Sequence, residues 1–263
     1  MCFYKSKGEK PVSQPHDQSK PTFLILGATG GIGTALCHRL ASRGARLVLG
    51  ARGEERLRSL ADELDATWSS VDATNFKQVS ECVEDALEAH GRLDGVVNLV
   101  GSVLLKPAHL TTEEEWREVL RVNLDSAFAV IRSAGRVMRK EGGSVVLASS
   151  AAARIGIANH DAIAAAKAGI IGLTLSASAT YAKANVRVNC VAPGLVQTPL
   201  TQKLTERESA RKTSEQMHPL GRLGEPEHVA SAIDWLLQSD QSWISGQVLG
   251  VDGGLGTVLS SQR

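Results

Sequence analysis

The sequence predicts a doubly wound parallel α/β sheet of about seven strands, with helices on both faces, in a single domain. From Pro21 onward, short apolar runs alternate with longer segments of helical pattern. Strands separated by helix-length crossovers pair in parallel, with right-handed connections. The short runs are almost continuous in Val, Leu and Ile, which is expected of strands with two buried faces.

The predicted elements follow one another in regular order. Strands are predicted over residues 22–26, 46–49, 67–71, 95–99, 144–148, 186–191 and 247–251. Helices are predicted from the glycines after the first strand to about residue 43, and over residues 54–64, 75–90, 112–140, 161–183 and 226–238. Residues 1–20 contain little to bury, which predicts a flexible N-terminal extension of a domain over residues 21–263. A transit peptide is an alternative for this extension, although Glu9 and Asp17 count against it.

Composition and charge argue against several classes of partner. Of 263 residues 43% are hydrophobic, and 29 Lys and Arg against 28 Asp and Glu leave a net charge of +1. This balance argues against nucleic acid or an anionic membrane as the main partner. The uncharged stretch over residues 168–182 is expected to be too short and too polar to span a bilayer. The four cysteines form no C-x-x-C pair and the histidines no ligand pair, so we expect no metal, reduced thiols and a cytoplasmic location.

A glycine-rich turn, G-A-T-G-G-I-G over residues 27–33, joins the first strand to the first helix. Glycines there let the backbone approach a pyrophosphate, whose charge is met by the helix N-terminus. The spacing is G-x-x-x-G-x-G. It is not G-x-G-x-x-G, because Leu36 stands at the last Gly, and it is not the triphosphate P-loop, because no Lys follows. The turn therefore predicts dinucleotide binding, the alternative being a glycine-rich turn without a ligand.

With this turn, the chain from Thr22 to about Gly254 resembles the short-chain dehydrogenase/reductase family, whose glycine motif is T-G-x-x-x-G-x-G. Leu26 stands at the Thr of that motif. The segment N-L-V-G over residues 98–101 resembles the family's N-N-A-G, and P-G followed by Thr198 resembles the turn that clamps the nicotinamide. The resemblance implies a Rossmann-like fold.

The same resemblance implies which residues bind a nicotinamide dinucleotide. Asp72 matches the residue that holds the adenine ring, and Lys167 the residue that binds the nicotinamide ribose. The implied cofactor-binding residues are Gly27, Thr29, Gly31, Ile32, Gly33, Asp72, Asn98, Gly101, Lys167, Pro193, Gly194 and Thr198.

The end of the second strand favours NADP(H) over NAD(H). NAD sites place an acid there to bond the ribose 2′-hydroxyl. Here the strand runs into Ala51 and Arg52, with no carboxylate before Glu54. Arg52 can bind a 2′-phosphate through charge-assisted hydrogen bonds. The alternative is that Arg52 is an ordinary solvated residue at a helix start.

The family's catalytic pattern is interrupted. The resemblance implies that Ser150 holds a substrate carbonyl, that Lys167 supports proton transfer, and that Asn123 maintains a proton relay. The family's proton donor is a tyrosine four residues before the lysine. Ile163 occupies that position and cannot transfer a proton.

His160 is the candidate replacement for the missing donor. It precedes Ile163 by three residues and Lys167 by seven, so on a continuous helix all three share one face. A histidine titrates near neutral pH and is a plausible acid. Asp161 is a second candidate, as acid or as orienting group. If the helix instead begins at residue 161, His160 need not share that face.

These observations predict an NADP(H)-dependent oxidoreductase for a small-molecule carbonyl or alcohol, with a non-standard proton donor. One alternative is a catalytically silent NADP(H)-binding sensor or scaffold. Another is a lyase or dehydratase with Lys167 or His160 as base. The polar segment over residues 197–225, with a charged helical piece over 204–212, predicts a substrate loop. Leu104, Leu105 and Met217 are candidate pocket walls, and the two long helices over 112–140 and 161–183 are the expected homodimer or homotetramer contact.

Overall fold

A computed structural model describes residues 20–259. Within them, seven strands form one parallel sheet in the order β3-β2-β1-β4-β5-β6-β7. The strands are β1 (Thr22–Leu26), β2 (Arg46–Ala51), β3 (Thr67–Ser70), β4 (Gly95–Asn98), β5 (Gly143–Ala148), β6 (Val186–Pro193) and β7 (Val248–Val251). The predicted fold class is confirmed. The predicted extension lies outside the described residues, apart from Lys20.

Helices cover both faces of the sheet. They are α1 (Gly31–Ser42), α2 (Glu54–Glu63), α3 (Phe76–His90), α4 (Glu113–Leu120), α5 (Ser126–Val137), α6 (Asp161–Tyr181), α7 (Gln202–Thr205), α8 (Glu208–Met217) and α9 (Pro226–Leu237). Successive side chains of β1 point to opposite faces. Leu24 and Leu26 therefore join a core with α3, α5 and α6, whereas Phe23 and Ile25 join a core with α1, α2 and α9.

Local capping groups define where several helices start and stop. The Asn75 side chain accepts hydrogen bonds from the first turn of α3, and Gly91 ends that helix with φ +70°. Thr112 and Glu115 form a reciprocal capping box at the start of α4. Such caps satisfy backbone donors that a helix end would otherwise leave unpaired. The predicted helix limits here are accordingly accurate to within a residue or two.

The helix predicted over residues 112–140 is not continuous. Between α4 and α5 the chain forms a π-helical turn over Arg121–Asp125, and α5 ends at Val137. A π-turn places one extra residue in the helix and commonly occurs at functional positions. Here it contains Asn123, one of the predicted catalytic residues.

Helix α6 is longer than the uncharged stretch within it. With a 3₁₀ turn it extends over Asp161–Ala184 and, alone among the helices of residues 20–259, is long and apolar enough to cross a membrane. This corrects the expectation that the segment is too short and too polar. In the fold it packs against β6, β5 and α4, with Ile170 and Ala177 buried. The core helix of a soluble protein meets the same length and composition criteria.

The strand order reverses between β1 and β4, which creates a crevice beyond their carboxyl ends. The register pairs Leu26 with Gly50 on one side and with Asn98 on the other. The three strands therefore end level with one another. The loops that follow β1, β2 and β4 meet at this edge of the sheet.

Candidate active site

The glycine turn after β1 is held against β2 and α1. Gly27 has φ +83° and donates its N–H to the Gly50 carbonyl at 2.8 Å. A Cβ on Gly33 would lie 2.1 Å from the Gly27 carbonyl oxygen. Helix α1 can pack this closely on the turn only because residue 33 lacks a side chain. Gly27 and Gly33, which the spacing of the motif predicts to be functional, are therefore also required as glycines by the backbone geometry.

The first turn of α1 is open to an anion. The residue before the helix, Gly30, provides no side-chain cap, so no side chain occupies the backbone N–H groups of Gly31, Ile32 and Gly33. A Cβ on Gly31 would lie 2.9 Å from Cγ2 of Thr198, so the segment after β6 closes over the turn. These unoccupied donors at a positive helix end suit a pyrophosphate.

Two arginines flank the glycine turn. Arg52 is exposed directly after β2, and Arg56, in the first turn of α2, donates from Nη2 to the Thr29 carbonyl at 2.8 Å. Sequence reasoning found Arg52 but missed Arg56. Spacing provides no signal for Arg56, because Arg52 precedes α2 and the Thr29 carbonyl lies 27 residues from Arg56. The two guanidinium groups lie at this corner together with the carboxylates of Glu54 and Glu55 in the first turn of α2.

Asp72 is anionic and fixed in the loop after β3. Its Oδ1 accepts hydrogen bonds from the Thr74 N–H at 2.9 Å and from the Thr74 hydroxyl at 2.8 Å. The backbone bond from Thr74 is the main cause that lowers the pKa of Asp72, and the charges of Arg121 and Arg52 add to it. Arg121 donates to the Thr74 hydroxyl at 2.5 Å, which ties the π-turn to this loop.

Three predicted residues from distant parts of the chain converge beyond β4. Lys167 on α6 is only 8% exposed and donates from Nζ to the Ala148 carbonyl at 2.9 Å. A Cβ on Gly101 would lie 3.3 Å from that Nζ and 3.0 Å from Oδ1 of Asn123. Burial lowers the pKa of Lys167 from 10.5 to about 8. The centre thus contains a buried amine able to exchange protons near neutral pH.

Asn123 is fully buried, and its side chain is almost saturated with hydrogen bonds. Nδ2 donates to the Val119 carbonyl at 2.9 Å and to the Ser102 hydroxyl at 3.0 Å, while Oδ1 accepts from the Ser102 N–H at 3.2 Å. The side chain therefore joins the π-turn to the loop after β4. Asn98 has a similar linking role, since its Nδ2 donates to the Ser126 hydroxyl at the start of α5, at 3.2 Å.

Two adjacent serines after β5 have different roles. The Ser150 hydroxyl oxygen accepts from the Ala152 N–H at 3.2 Å, which leaves its own proton free to be donated. Ser149, which the sequence did not single out, is buried and donates to the Lys167 carbonyl at 2.8 Å. It thereby attaches the end of β5 to the helix that carries the lysine.

His160 does not lie on a continuous helix with Ile163 and Lys167. Helix α6 begins at Asp161, and His160 is the residue before it, with φ −104° and ψ 14°. Its Nδ1 lies 2.8 Å from the Ala158 carbonyl oxygen. The alternative, a helix that begins at residue 161, is therefore confirmed, and the continuous helix on which the shared face depended does not reach residue 160. The ring lies at the start of the helix, with its Nδ1 directed at that carbonyl.

The position predicted for a tyrosine is apolar in the structure as well as in the sequence. Ile163 is 5% exposed and clusters with Val119, Ala162 and Ala166, against which Leu104 packs. Leu104 therefore packs on this apolar cluster, and its role as a pocket wall stays a prediction. Leu105 and Met217 are largely exposed.

The segment after β6 is more ordered in secondary structure than predicted. The charged helical piece expected over residues 204–212 is two helices, α7 and α8, with a break between Thr205 and Glu208. At its start, the Gly194 N–H donates to the Val251 carbonyl at 3.2 Å, and the Thr198 N–H donates to the Thr201 hydroxyl at 3.1 Å. Pro193, the last residue of β6, leads into this turn.

The described part of the chain contains no candidate metal site. Among residues 20–259, no group of three or more His, Cys, Asp or Glu side chains is placed to hold a metal ion. The residues that converge at the crevice are instead hydrogen-bond donors, cations and glycines. This donor set suits a phosphate-bearing organic ligand.

Comparison with known proteins agrees with this arrangement. Residues 27–256 match a family model described as enoyl-(acyl carrier protein) reductase. The chain is 40% identical over 240 residues to a 3-oxoacyl-(acyl-carrier-protein) reductase of Thermotoga maritima, covering 88% of this chain and 96% of that protein. It is 34% identical over 240 residues to a tropinone reductase homologue of Arabidopsis thaliana, covering 89% and 91% respectively.

Solved structures show the same likeness. A short-chain type dehydrogenase/reductase from Mycobacterium ulcerans superposes with a TM-score of 0.86 at 31% identity, over 90% of each chain. ElxO with NADP bound gives a TM-score of 0.84 at 27% identity, over 90% of this chain and 98% of that one.

Proposed function

The chain belongs to the short-chain dehydrogenase/reductase family, and on that basis we propose that it is an NADP(H)-dependent oxidoreductase with a proton donor other than tyrosine. Its substrate is a small carbonyl compound or the corresponding alcohol. The observation that carries the proposal is the convergence of Lys167 and Asn123 at Gly101, beside an uncapped helix N-terminus. A catalytic amine and a phosphate site are then neighbours in one crevice.

The choice of NADP(H) is supported by charge. Arg52 and Arg56 flank the glycine turn, where a 2′-phosphate carries the charge that distinguishes NADP(H) from NAD(H). The open amides of Gly31, Ile32 and Gly33 would hold the pyrophosphate. ElxO, a structural neighbour, was solved with NADP bound.

The reaction that we propose divides the work among three residues. NADPH, when bound, supplies the hydride that reduces the carbonyl carbon. Ser150 donates its free hydroxyl proton as a hydrogen bond to the carbonyl oxygen and so holds the substrate. Lys167, whose Nζ lies near Gly101 together with Oδ1 of Asn123, would hold the nicotinamide ribose and, with Asn123, maintain a water-linked path for protons.

His160 is the proposed source of the proton for the new alcohol. Its Nδ1 faces the Ala158 carbonyl and must donate a hydrogen, so Nε2 is the ring nitrogen that would give a proton to the substrate. The imidazolium ion can release that proton and keep the bond to Ala158 in both charge states. Proton transfer of this kind typically contributes about 10²–10⁴-fold to a rate.

A catalytically silent NADP(H)-binding protein is the second candidate function. It is favoured by Ile163, which is buried among apolar side chains where the family resemblance implies an acid. This candidate predicts that the protein binds NADPH but does not oxidise it with any carbonyl compound. Ser150→Ala would then change local stability alone.

The decisive experiment measures NADPH oxidation by the purified protein against a panel of aldehydes and ketones. We expect turnover, a roughly 10²-fold or larger loss in His160→Ala, and little change in His109→Ala, a matched exposed histidine. Unchanged turnover in His160→Ala would eliminate His160 as donor but not the reductase. Calorimetric binding of NADPH without any turnover would favour the silent protein, and no binding at all would contradict both.

Three further features belong to this proposal. Residues 197–225 form the loop that shapes the substrate pocket, since Thr198 already closes over the glycine turn. Helices α5 and α6 form the contact of a homodimer or homotetramer, because each exposes a large apolar side chain, Phe128 and Leu175. We also propose that the protein acts in the cytoplasm, where its buried thiols would stay reduced.

A further inference from the structure

His218 is a buried histidine whose two ring nitrogens are both engaged. It directly follows α8 and is only 4% exposed. Nδ1 lies 2.7 Å from the Ser214 carbonyl oxygen, and Nε2 lies 3.1 Å from the backbone nitrogen of Leu195. A carbonyl accepts and an amide donates, so the ring carries its hydrogen on Nδ1 and a lone pair on Nε2. The contacts thus select one neutral tautomer.

The ring directly supports the turn after β6. A Cβ on Gly194 would lie 2.6 Å from Nε2 of His218, so the imidazole fills the space behind that residue. The next amide, of Leu195, donates to the same nitrogen, while the Gly194 N–H donates to the Val251 carbonyl at 3.2 Å. Two consecutive amides of the turn are therefore fixed, one by β7 and one by His218.

The same ring also joins this turn to α8. Ser214 lies in the last turn of α8, and its carbonyl is the acceptor for Nδ1. Just beyond the helix, the Leu220 N–H donates to the Gly253 carbonyl at 3.0 Å, which anchors the end of the segment to the loop after β7. A movement of α8 would therefore be transmitted to Leu195 through one side chain.

We propose that His218 is a positioning residue that holds residues 193–195 in the conformation that receives the nicotinamide and couples this turn to α8. The inference rests on the proposed function, because it assigns that turn to NADP(H). It adds a residue that makes no contact with substrate and acts through the Leu195 amide. Sequence spacing contains no signal for this role, because its partners Ser214 and Leu195 are 4 and 23 residues away.

Two substitutions of His218 test its two ring nitrogens separately. In His218→Gln the amide reaches the Nε2 position, where its oxygen can accept from Leu195. In His218→Asn the shorter side chain reaches only the Nδ1 position, where its NH₂ can donate to Ser214. We expect His218→Asn to weaken NADPH binding by about tenfold and to raise the KM for NADPH more than it lowers kcat, with His218→Gln close to wild type.

The test compares wild type, His218→Gln and His218→Asn by calorimetric titration with NADPH, by steady-state kinetics and by thermal unfolding. Equal affinity in His218→Asn and wild type overturns the inference. So does an equal loss in both variants that follows their loss of thermal stability, because ring packing alone would then explain it. Failure of the wild type to bind NADPH would instead contradict the proposed function.

A measurement on the wild-type protein keeps the inference testable if both variants fail to fold. Nitrogen-15 NMR of the imidazole reports which ring nitrogen carries the hydrogen. We expect the neutral ring with hydrogen on Nδ1, and slow exchange of the Leu195 amide that slows further with NADPH. A ring with hydrogen on Nε2, or a rapidly exchanging Leu195 amide, overturns the inference.

Discussion

Ile163 and Lys167 lie one turn apart on α6, but their surroundings differ sharply. Ile163 packs among Val119, Ala162 and Ala166, whereas Lys167 sends its amine to the Ala148 carbonyl. Because the amine is buried with one carbonyl as its hydrogen-bond partner, its charged form is poorly solvated. The centre therefore holds a group that titrates within reach of physiological pH, one helical turn from an apolar side chain.

The buried amine predicts a stability that increases with pH. Burial lowers the pKa of Lys167 from 10.5 to about 8 in the folded chain. Between these values the unfolded chain binds more protons than the folded one, so alkaline conditions favour folding. We expect the free energy of unfolding to gain roughly 3 kcal/mol from this residue between about pH 8 and pH 10.5. Denaturant titrations across that range measure the gain.

Lys167→Met is the matched control for this effect. It keeps a long, flexible side chain but removes the titrating amine, so the other ionisable groups still contribute to the pH dependence. The difference between wild type and variant should rise in favour of wild type as the pH increases. Parallel curves for the two proteins would show that Lys167 is not destabilised by burial.

At the scale of elements, the ends of strands and helices were easier to predict than the interiors of long helices. Glycine and Asn caps mark boundaries locally, as at Asn75 and Gly91. No capping residue of this kind marks the π-turn at Asn123 in the sequence. Its amide reaches the Ser102 hydroxyl, 21 residues away, so the turn depends on a tertiary contact. Helical periodicity alone therefore predicted one continuous helix.

The junction of β2 with α2 yields a prediction on cofactor selectivity. Arg56 reaches the Thr29 carbonyl across the glycine turn, and Arg52 lies exposed beside it. If both pair with a 2′-phosphate, Arg52→Ala and Arg56→Ala should each weaken NADPH binding by about tenfold and leave NADH binding almost unchanged. Calorimetric dissociation constants for both nucleotides measure this.

Arg58→Ala provides the comparison on the same helix. Arg58 lies over Trp68, 5.5 Å from the ring centroid, and is two residues from Arg56, which on a helix places it on another face. Its removal should leave both affinities unchanged. An Arg56→Ala variant that loses NADPH and NADH affinity equally would mean that Arg56 supports the turn through Thr29 and does not select the phosphate.

For the whole molecule, the topology was predictable because parallel strands with helical crossovers allow few arrangements. The crevice followed as well, since the loops after β1, β2 and β4 must meet at one edge of the sheet. Contacts between parts of the chain that are distant in sequence did not follow. His160 proved to lie outside α6, and Ser149 and Arg56 acquired partners that spacing does not show. Those contacts depend on tertiary packing, which the spacing of residues in the sequence does not show.

Exposed apolar side chains on α5 and α6 lead to a prediction about subunit assembly. Phe128 on α5 is 47% exposed and Leu175 on α6 is 53% exposed, on the two helices expected to meet a second subunit. A two-fold contact brings the same surface of both subunits together, so Phe128→Asp would place like charges in an apolar interface. We expect the wild type to be a dimer or tetramer by sedimentation, and this variant to dissociate.

Leu200→Asp removes an equally exposed side chain, 55%, from the segment near α7 and should keep the wild-type mass. A monomeric wild type, or an unchanged mass in Phe128→Asp, would contradict assembly through these helices.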